Sequence, residues 1–224
     1  MELTLDELLG LLPAAIAEMS CEFTRKRDEY RETDGPTSQR FACFMLALRA
    51  LSLCRGMQTL LRPETLDSYD VVLRAFLETR DLLTSFRFDS ESTRLRVQQW
   101  FKAKRKDTWT AEHKNVEAFL KTMGADSLQL ARRWGTFSSL AHPTLAAVKN
   151  SNALIDGSTS FERVKSLSAS LEHKKFDYVN SVMSLYIATC IESPGWVHLG
   201  CGQQRMLRAE ALRVLIRDAI RSQQ

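Results

Sequence analysis

The sequence is poor in the two residues that interrupt helices. It holds nine Gly and five Pro among 224 residues, which is too few for the many turns of a β protein. It also lacks a long apolar run, since the longest, Phe41 to Leu48, is far shorter than the roughly 18 to 20 residues of a membrane span. These absences predict an all-α protein with short connections and no transmembrane helix.

The chain also lacks an extreme charge and an export signal. Lys and Arg number 31 against 27 Asp and Glu, a net charge of +4, so the total charge alone does not predict a nucleic-acid-binding protein. The first residues, MELTLDELLG, lack the basic start and apolar core of a secretory signal. Five cysteines are an odd number. Reduced thiols and a cytoplasmic location are therefore expected.

Common catalytic motifs are missing as well. The sequence contains no C-x-x-C, no Walker loop, no G-x-G-x-x-G and no G-x-S-x-G. Cys190, His198 and Cys201 could offer three metal ligands, but no fourth is evident. We therefore predict neither a metal site nor a cofactor, and the sequence favours a protein without catalysis.

Two strongly apolar helical segments form the expected centre of the fold. The segment 41–54 holds a single charge, Arg49, and the segment 69–86 is apolar around most of its circumference. They are joined by the short stretch 62–65. We predict that the pair forms a buried helical hairpin within one all-α domain, residues 1–224, of about seven or eight helices.

Residues that favour the start of a helix indicate where the other predicted helices begin. Thr4 and Glu7 form a capping box that begins the first helix, and Pro13 is expected to kink or divide that helix. Thr37 or Ser38 can cap the first hairpin helix, and Ser90 the helix after the hairpin. Further helices are predicted around 110–123, 126–142, 161–191 and 203–221, with a long polar loop at 149–160.

The second hairpin helix carries one narrow polar stripe. Arg74 and Glu78 lie four residues apart and can pair across one turn. Two interpretations are open: the stripe is solvated, or it lines an internal groove in which the charges must be paired. The full stripe comprises Asp70, Arg74, Glu78, Asp81 and Ser85.

Two short motifs carry a resemblance. The stretch VVLRAFLETRDLL contains R-x-x-x-E, and FSSLAHPT contains S-x-x-x-H-P. Together they resemble a bacterial family of all-helical proteins of unknown function, over about Phe41 to Thr144. The resemblance implies no activity. It picks out Arg74, Glu78, Ser138 or Ser139, His142 and Pro143.

The architecture is also distantly similar to the HEPN class of helical ribonucleases and RNA-binding proteins. The R-x(4-6)-H signature of that class is absent, because eight residues separate Arg133 from His142. A ribonuclease of this type is therefore the weakest of the functional hypotheses.

If a site exists, we predict that Arg74, Glu78 and His142 meet in one polar pocket. Pro143 pushes the backbone before it out of the helix and so exposes the helix end that carries His142. Glu78 would then fix the histidine tautomer and leave one ring nitrogen free. The alternative is that His142 only bonds the last carbonyls of its own helix.

A basic window follows the hairpin. It combines positive charge with aromatic rings, which is the chemistry of phosphate attraction and base stacking. The alternative is an ordinary amphipathic helix whose aromatic rings point inward. The predicted ligand-binding residues are Arg94, Arg96, Trp100, Lys102, Lys104, Arg105 and Lys106.

The leading functional hypothesis is a binding module for RNA or a partner protein, in a stress or phage-defence setting by analogy alone. The alternative is a structural protein that forms a homodimer through an exposed helix face and binds no ligand.

Overall fold

The computed structural model describes residues 4–62, 65–87, 90–102, 114, 116–118, 121 and 161–190. Every regular element in these residues is helical, and none of them lies in a strand. The all-α class is thus confirmed. The helices are α1 (Leu5–Asp34), α2 (Gln39–Thr59), α3 (Leu66–Phe86), α4 (Glu91–Lys102) and α5 (Phe161–Cys190).

The predicted number of seven or eight helices is not reached within the described residues. Besides the five bounded helices, residues 114, 116–118 and 121 are helical, inside the segment predicted as helix around 110–123. The helices predicted at 126–142 and 203–221, and the loop predicted at 149–160, lie outside the described residues.

Helix α1 begins as predicted. The Thr4 hydroxyl accepts a bond from the Glu7 amide at 3.3 Å, and the Glu7 carboxylate accepts one from the Thr4 amide at 2.7 Å. Pro13 lies inside the helix without dividing it, because α1 is continuous to Asp34. The helix ends at Asp34, and Gly35 follows it with a φ of 84°, which glycine adopts without strain.

One aromatic residue in the charged second half of α1 is buried. The stretch after Phe23 is highly charged, yet Tyr30 is only 4% exposed. The centre of its ring lies 5.7 Å from that of Phe44 of α2, and the Phe44 ring also meets the Phe23 ring edge to face at 5.9 Å. These aromatic contacts keep this end of α1 packed on α2.

The predicted central hairpin is confirmed, since α2 and α3 pack along their lengths. Gln39, at the start of α2, donates to the Phe86 carbonyl at the end of α3, at 2.7 Å. Near the other end, a Cβ atom at Gly56 would lie 3.4 Å from the Val72 side chain, so the two helices are also in contact there. The buried residues of α2 are Ala42, Cys43, Phe44, Leu46, Ala47, Ala50, Leu51, Leu53, Cys54 and Met57.

Helix α5 returns to cover the face of α1 and α2 that the hairpin leaves open. Val179, Met183 and Tyr186 recur at helical spacing, and all three are buried. The apolar face is wider than this single row, because Tyr178, Val182 and Leu185 are buried too. A buried helix with neighbours on two sides needs this wider apolar surface.

Two thiols lie in the core. Cys43 and Cys54 of α2 are buried and free, and Cys21 of α1 is free and exposed. Burial raises the pKa of the Cys43 thiol to about 12 and also raises the pKa of Cys54, since an apolar surrounding disfavours the thiolate. Both act as small apolar side chains at neutral pH.

None of the described helices combines the length and the apolar character that crossing a membrane requires.

Ser38 rather than Thr37 caps α2, because its hydroxyl accepts a hydrogen bond from the Phe41 amide at 3.1 Å. We expect Ser38→Ala to lower the free energy of unfolding by about 1 kcal/mol, the usual value of a lost cap. Thr37→Ala, which removes an exposed neighbouring hydroxyl, is the control and should change stability by less than about 0.5 kcal/mol. Urea unfolding followed by circular dichroism compares the two, and equal losses would contradict the assignment of the cap.

Two buried tyrosines differ in their hydrogen bonds, so replacing each by phenylalanine should change the stability in opposite directions. The Tyr69 hydroxyl donates to the carbonyl of Lys174 at 2.9 Å, whereas the Tyr178 hydroxyl is buried and has no hydrogen-bond partner among the described residues. Tyr69→Phe should therefore destabilise the fold by about 1 kcal/mol, and Tyr178→Phe should stabilise it by up to about 1 kcal/mol. Thermal unfolding of both variants measures the signs, and a loss of stability in Tyr178→Phe would show that its hydroxyl is bonded.

Candidate functional site

The polar stripe of α3 is only partly exposed. The Arg74 Nε donates to Glu78 Oε1 at 2.8 Å, and the two side chains are 22% and 18% exposed. Asp81 is 5% exposed and accepts from Arg80 at 2.8 Å, while Ser85 is fully buried. The charges are paired, as the second interpretation requires, and the internal groove of that interpretation stays a prediction.

The N-terminal end of the stripe is bound to α5. Lys174 of α5 forms a salt bridge with Asp70, and these side chains are 11% and 13% exposed. The ammonium group also lies 5.3 Å from the centre of the Tyr69 ring, and the Tyr69 hydroxyl bonds the Lys174 backbone. Desolvation, followed by the nearby carboxylates Asp177 and Asp70, raises the pKa of Tyr69, which keeps its hydroxyl protonated as a donor.

The C-terminal end of the stripe is bound to α4. Arg96 of α4 donates to the Ser85 hydroxyl at 3.1 Å, and its guanidinium lies 5.4 Å from the centre of the Phe86 ring. The stripe is thus a seam that joins α3 to α4 at one end and to α5 at the other. Such a seam orients helices, and it holds the Arg74 and Glu78 pair in place between its two ends.

The predicted pocket of Arg74, Glu78 and His142 is only half described. Arg74 and Glu78 do meet, but His142 lies outside the described residues, as do Ser138, Ser139 and Pro143. The association of the pair with the histidine therefore stays a prediction.

Helix α4 packs its aromatic side chains against the core and exposes two of its basic side chains. Trp100 is half-buried, with its ring edge to face against Phe86 at 5.9 Å and against Phe101 at 5.0 Å. Arg94 and Lys102 are exposed. For Trp100 and Phe101 this arrangement matches the alternative of aromatic rings pointing inward. Lys104, Arg105 and Lys106 lie outside the described residues.

Arg96 differs from the other predicted ligand-binding residues of α4. Its guanidinium is occupied by Ser85 and the Phe86 ring, so it acts as a structural contact between α4 and α3. A cation that lies against an aromatic ring and donates to a buried hydroxyl is a poor partner for a ligand in solution. The exposed charges of α4 are therefore Arg94 and Lys102, with Glu91 at the start of the helix.

Sequence reasoning missed Lys174. The residue lies 104 positions from Asp70 in a helix with several other charged residues, so no local pattern distinguishes it. A weak signal exists, because Lys174 falls on the same side of α5 as Tyr178 and Ser181, both of which are buried. Among the described residues, no group of three or more His, Cys, Asp or Glu could hold a metal ion.

The exposure of the side chains along the stripe predicts which substitutions destabilise the protein most. Asp70→Asn leaves the buried Lys174 without its counterion and should cost about 3 kcal/mol. Glu78→Gln releases Arg74 toward water and should cost about 1 kcal/mol. Denaturant unfolding gives both values. A cost for Glu78→Gln equal to that of Asp70→Asn would mean that the middle of the stripe is as closed to solvent as its N-terminal end.

Comparison with protein-family models, with curated proteins and with solved structures gives no match for this chain. The resemblance to a bacterial helical family thus rests on the motifs around Arg74, Glu78 and His142, and the similarity to the HEPN class rests on architecture. Both stay predictions.

Proposed function

We propose that the chain is a non-catalytic helical module that binds RNA along the outward face of α4. One observation carries the proposal: Arg94 and Lys102 are exposed on a helix whose other face is packed into the core. Residues 92–106 include six Lys or Arg and no Asp or Glu. This excess of positive charge, which Glu91 and Asp107 flank in the sequence, is what attracts a polyanion.

The outward face has a geometry that suits a linear ligand. Arg94, Gln98 and Lys102 recur every four residues and so follow one side of the helix. Arg94 and Lys102 are eight residues apart, which is about 12 Å along the axis. Two cations at this separation can contact separate phosphates of one strand, and each contact releases counterions from the nucleic acid.

Binding, rather than catalysis, is the activity that the described residues support. The ionisable side chains of the α3 stripe are paired with one another, with α4 or with α5. Such pairs stabilise helix packing. A hydrolytic role would need a free acid or base beside a cleft, and His142, the predicted candidate, is not among the described residues.

Homodimerisation is the second hypothesis, and it has weaker support. Large apolar side chains are exposed singly, one on each of the first four helices, and scattered exposure of this kind is normal for a monomer. They are Leu11, Met45, Val71 and Leu95.

The proposal predicts a strong and residue-specific dependence on salt. A fluorescently labelled single-stranded RNA should bind more weakly at about 200 mM than at about 50 mM salt. Arg94→Gln and Lys102→Gln should each reduce the slope of log affinity against log salt by about 0.7, the contribution of one phosphate contact on a single strand. Fluorescence anisotropy titrations of the three proteins provide the slopes.

Arg49→Gln is the matched control. Arg49 is exposed on α2, so this substitution removes the same charge away from α4 and should leave the slope unchanged. Equal changes in all the variants would mean that total charge, rather than α4, governs binding. No measurable binding at the lower salt concentration would exclude the nucleic-acid function.

A further inference from the structure

We infer that α4 binds the sugar-phosphate backbone of RNA and does not discriminate between bases. This inference rests on the proposed function and adds the part of the ligand that is recognised. It follows from which side chains of α4 are exposed and which are packed against the core.

The aromatic rings of α4 are half-buried and packed against other rings of the protein. Trp100 lies between Phe86 and Phe101, with ring centres 5.9 Å and 5.0 Å away, and both α4 rings are packed on the core. Recognition of single-stranded RNA bases depends mainly on stacking against aromatic rings or arginine planes. In α4 the rings that could provide a stacking surface instead fix the helix to α3.

Arg96, whose guanidinium could otherwise stack on a base, already contacts other residues of the protein. The Arg96 guanidinium lies 5.4 Å from the centre of the Phe86 ring and donates to the Ser85 hydroxyl, so it has partners within the protein. Arg94 and Lys102 are long, exposed side chains on a convex helix surface. They supply charge, but they form no cleft that would orient a base edge for hydrogen bonding.

The exposed glutamines of α4 do not provide base recognition either. Gln98 lies between the two cations, and Gln99 is exposed beside it. An amide can bond a phosphate oxygen as well as a base edge, and sequence readout by amides requires a fixed geometry with two bonds. The outward face of α4 therefore recognises the repeating feature of the polymer, which is its phosphate charge.

The test compares homopolymers of equal length. Poly(A), poly(C) and poly(U) should bind the full chain with affinities within about threefold of one another, because no stacking term separates them. Trp100→Leu, checked for folding by circular dichroism, should retain wild-type affinity within about threefold. Lys102→Gln should weaken binding to all three polymers by the same factor, as expected for a phosphate contact.

A preference of more than about tenfold for one homopolymer would overturn the inference while leaving the proposed function intact. A loss of about five- to 150-fold in a folded Trp100→Leu protein would also overturn it, since this is the range of one base stack. If Trp100→Leu does not fold, the comparison of homopolymers on the wild-type protein decides alone. Absence of binding to all polymers would remove the proposed function and this inference together.

Discussion

Burial of α2 around most of its circumference determines how the other helices are arranged. Helices α1, α3, α4 and α5 all pack against it, so each must present an apolar face in its direction. Ten residues of α2 are buried, and most are small or unbranched, which lets neighbouring helices approach closely. The charged residues of the neighbours are consequently displaced to the surfaces that face away from α2.

The paired stripe of α3 follows from this arrangement. Because α3 contacts α2, α4 and α5, its polar side cannot turn freely to solvent. A charge that leaves water without a partner destabilises a protein by several kcal/mol. Each carboxylate of the stripe therefore has a basic partner: Lys174 for Asp70, Arg74 for Glu78 and Arg80 for Asp81. The same constraint turns Arg96 inward and leaves Arg94 and Lys102 as the cations that α4 exposes.

Local signals explain which features could be predicted from the sequence. The capping box at Thr4, the bounds of α5 and the apolar hairpin depend on residues close together in the chain, and they are found where periodicity and capping predict them. The pairing of Lys174 with Asp70 and the burial of Tyr30 depend on which helices become neighbours. Periodicity does not contain this information. It also could not decide whether Trp100 faced a ligand or the core, because an amphipathic helix has the same pattern in both cases.

The place of α5 in the chain has a consequence for synthesis. The buried residues described for this helix lie within 174–186, yet they cover surfaces of α1 and α2 that emerge from the ribosome more than a hundred residues earlier. At about 5 to 20 residues per second, those apolar surfaces remain uncovered for several seconds or longer. A nascent chain in this state is prone to aggregation and is a natural substrate for chaperones. A nonsense mutation before Phe161 would remove α5 and leave those apolar surfaces of α1 and α2 permanently without it.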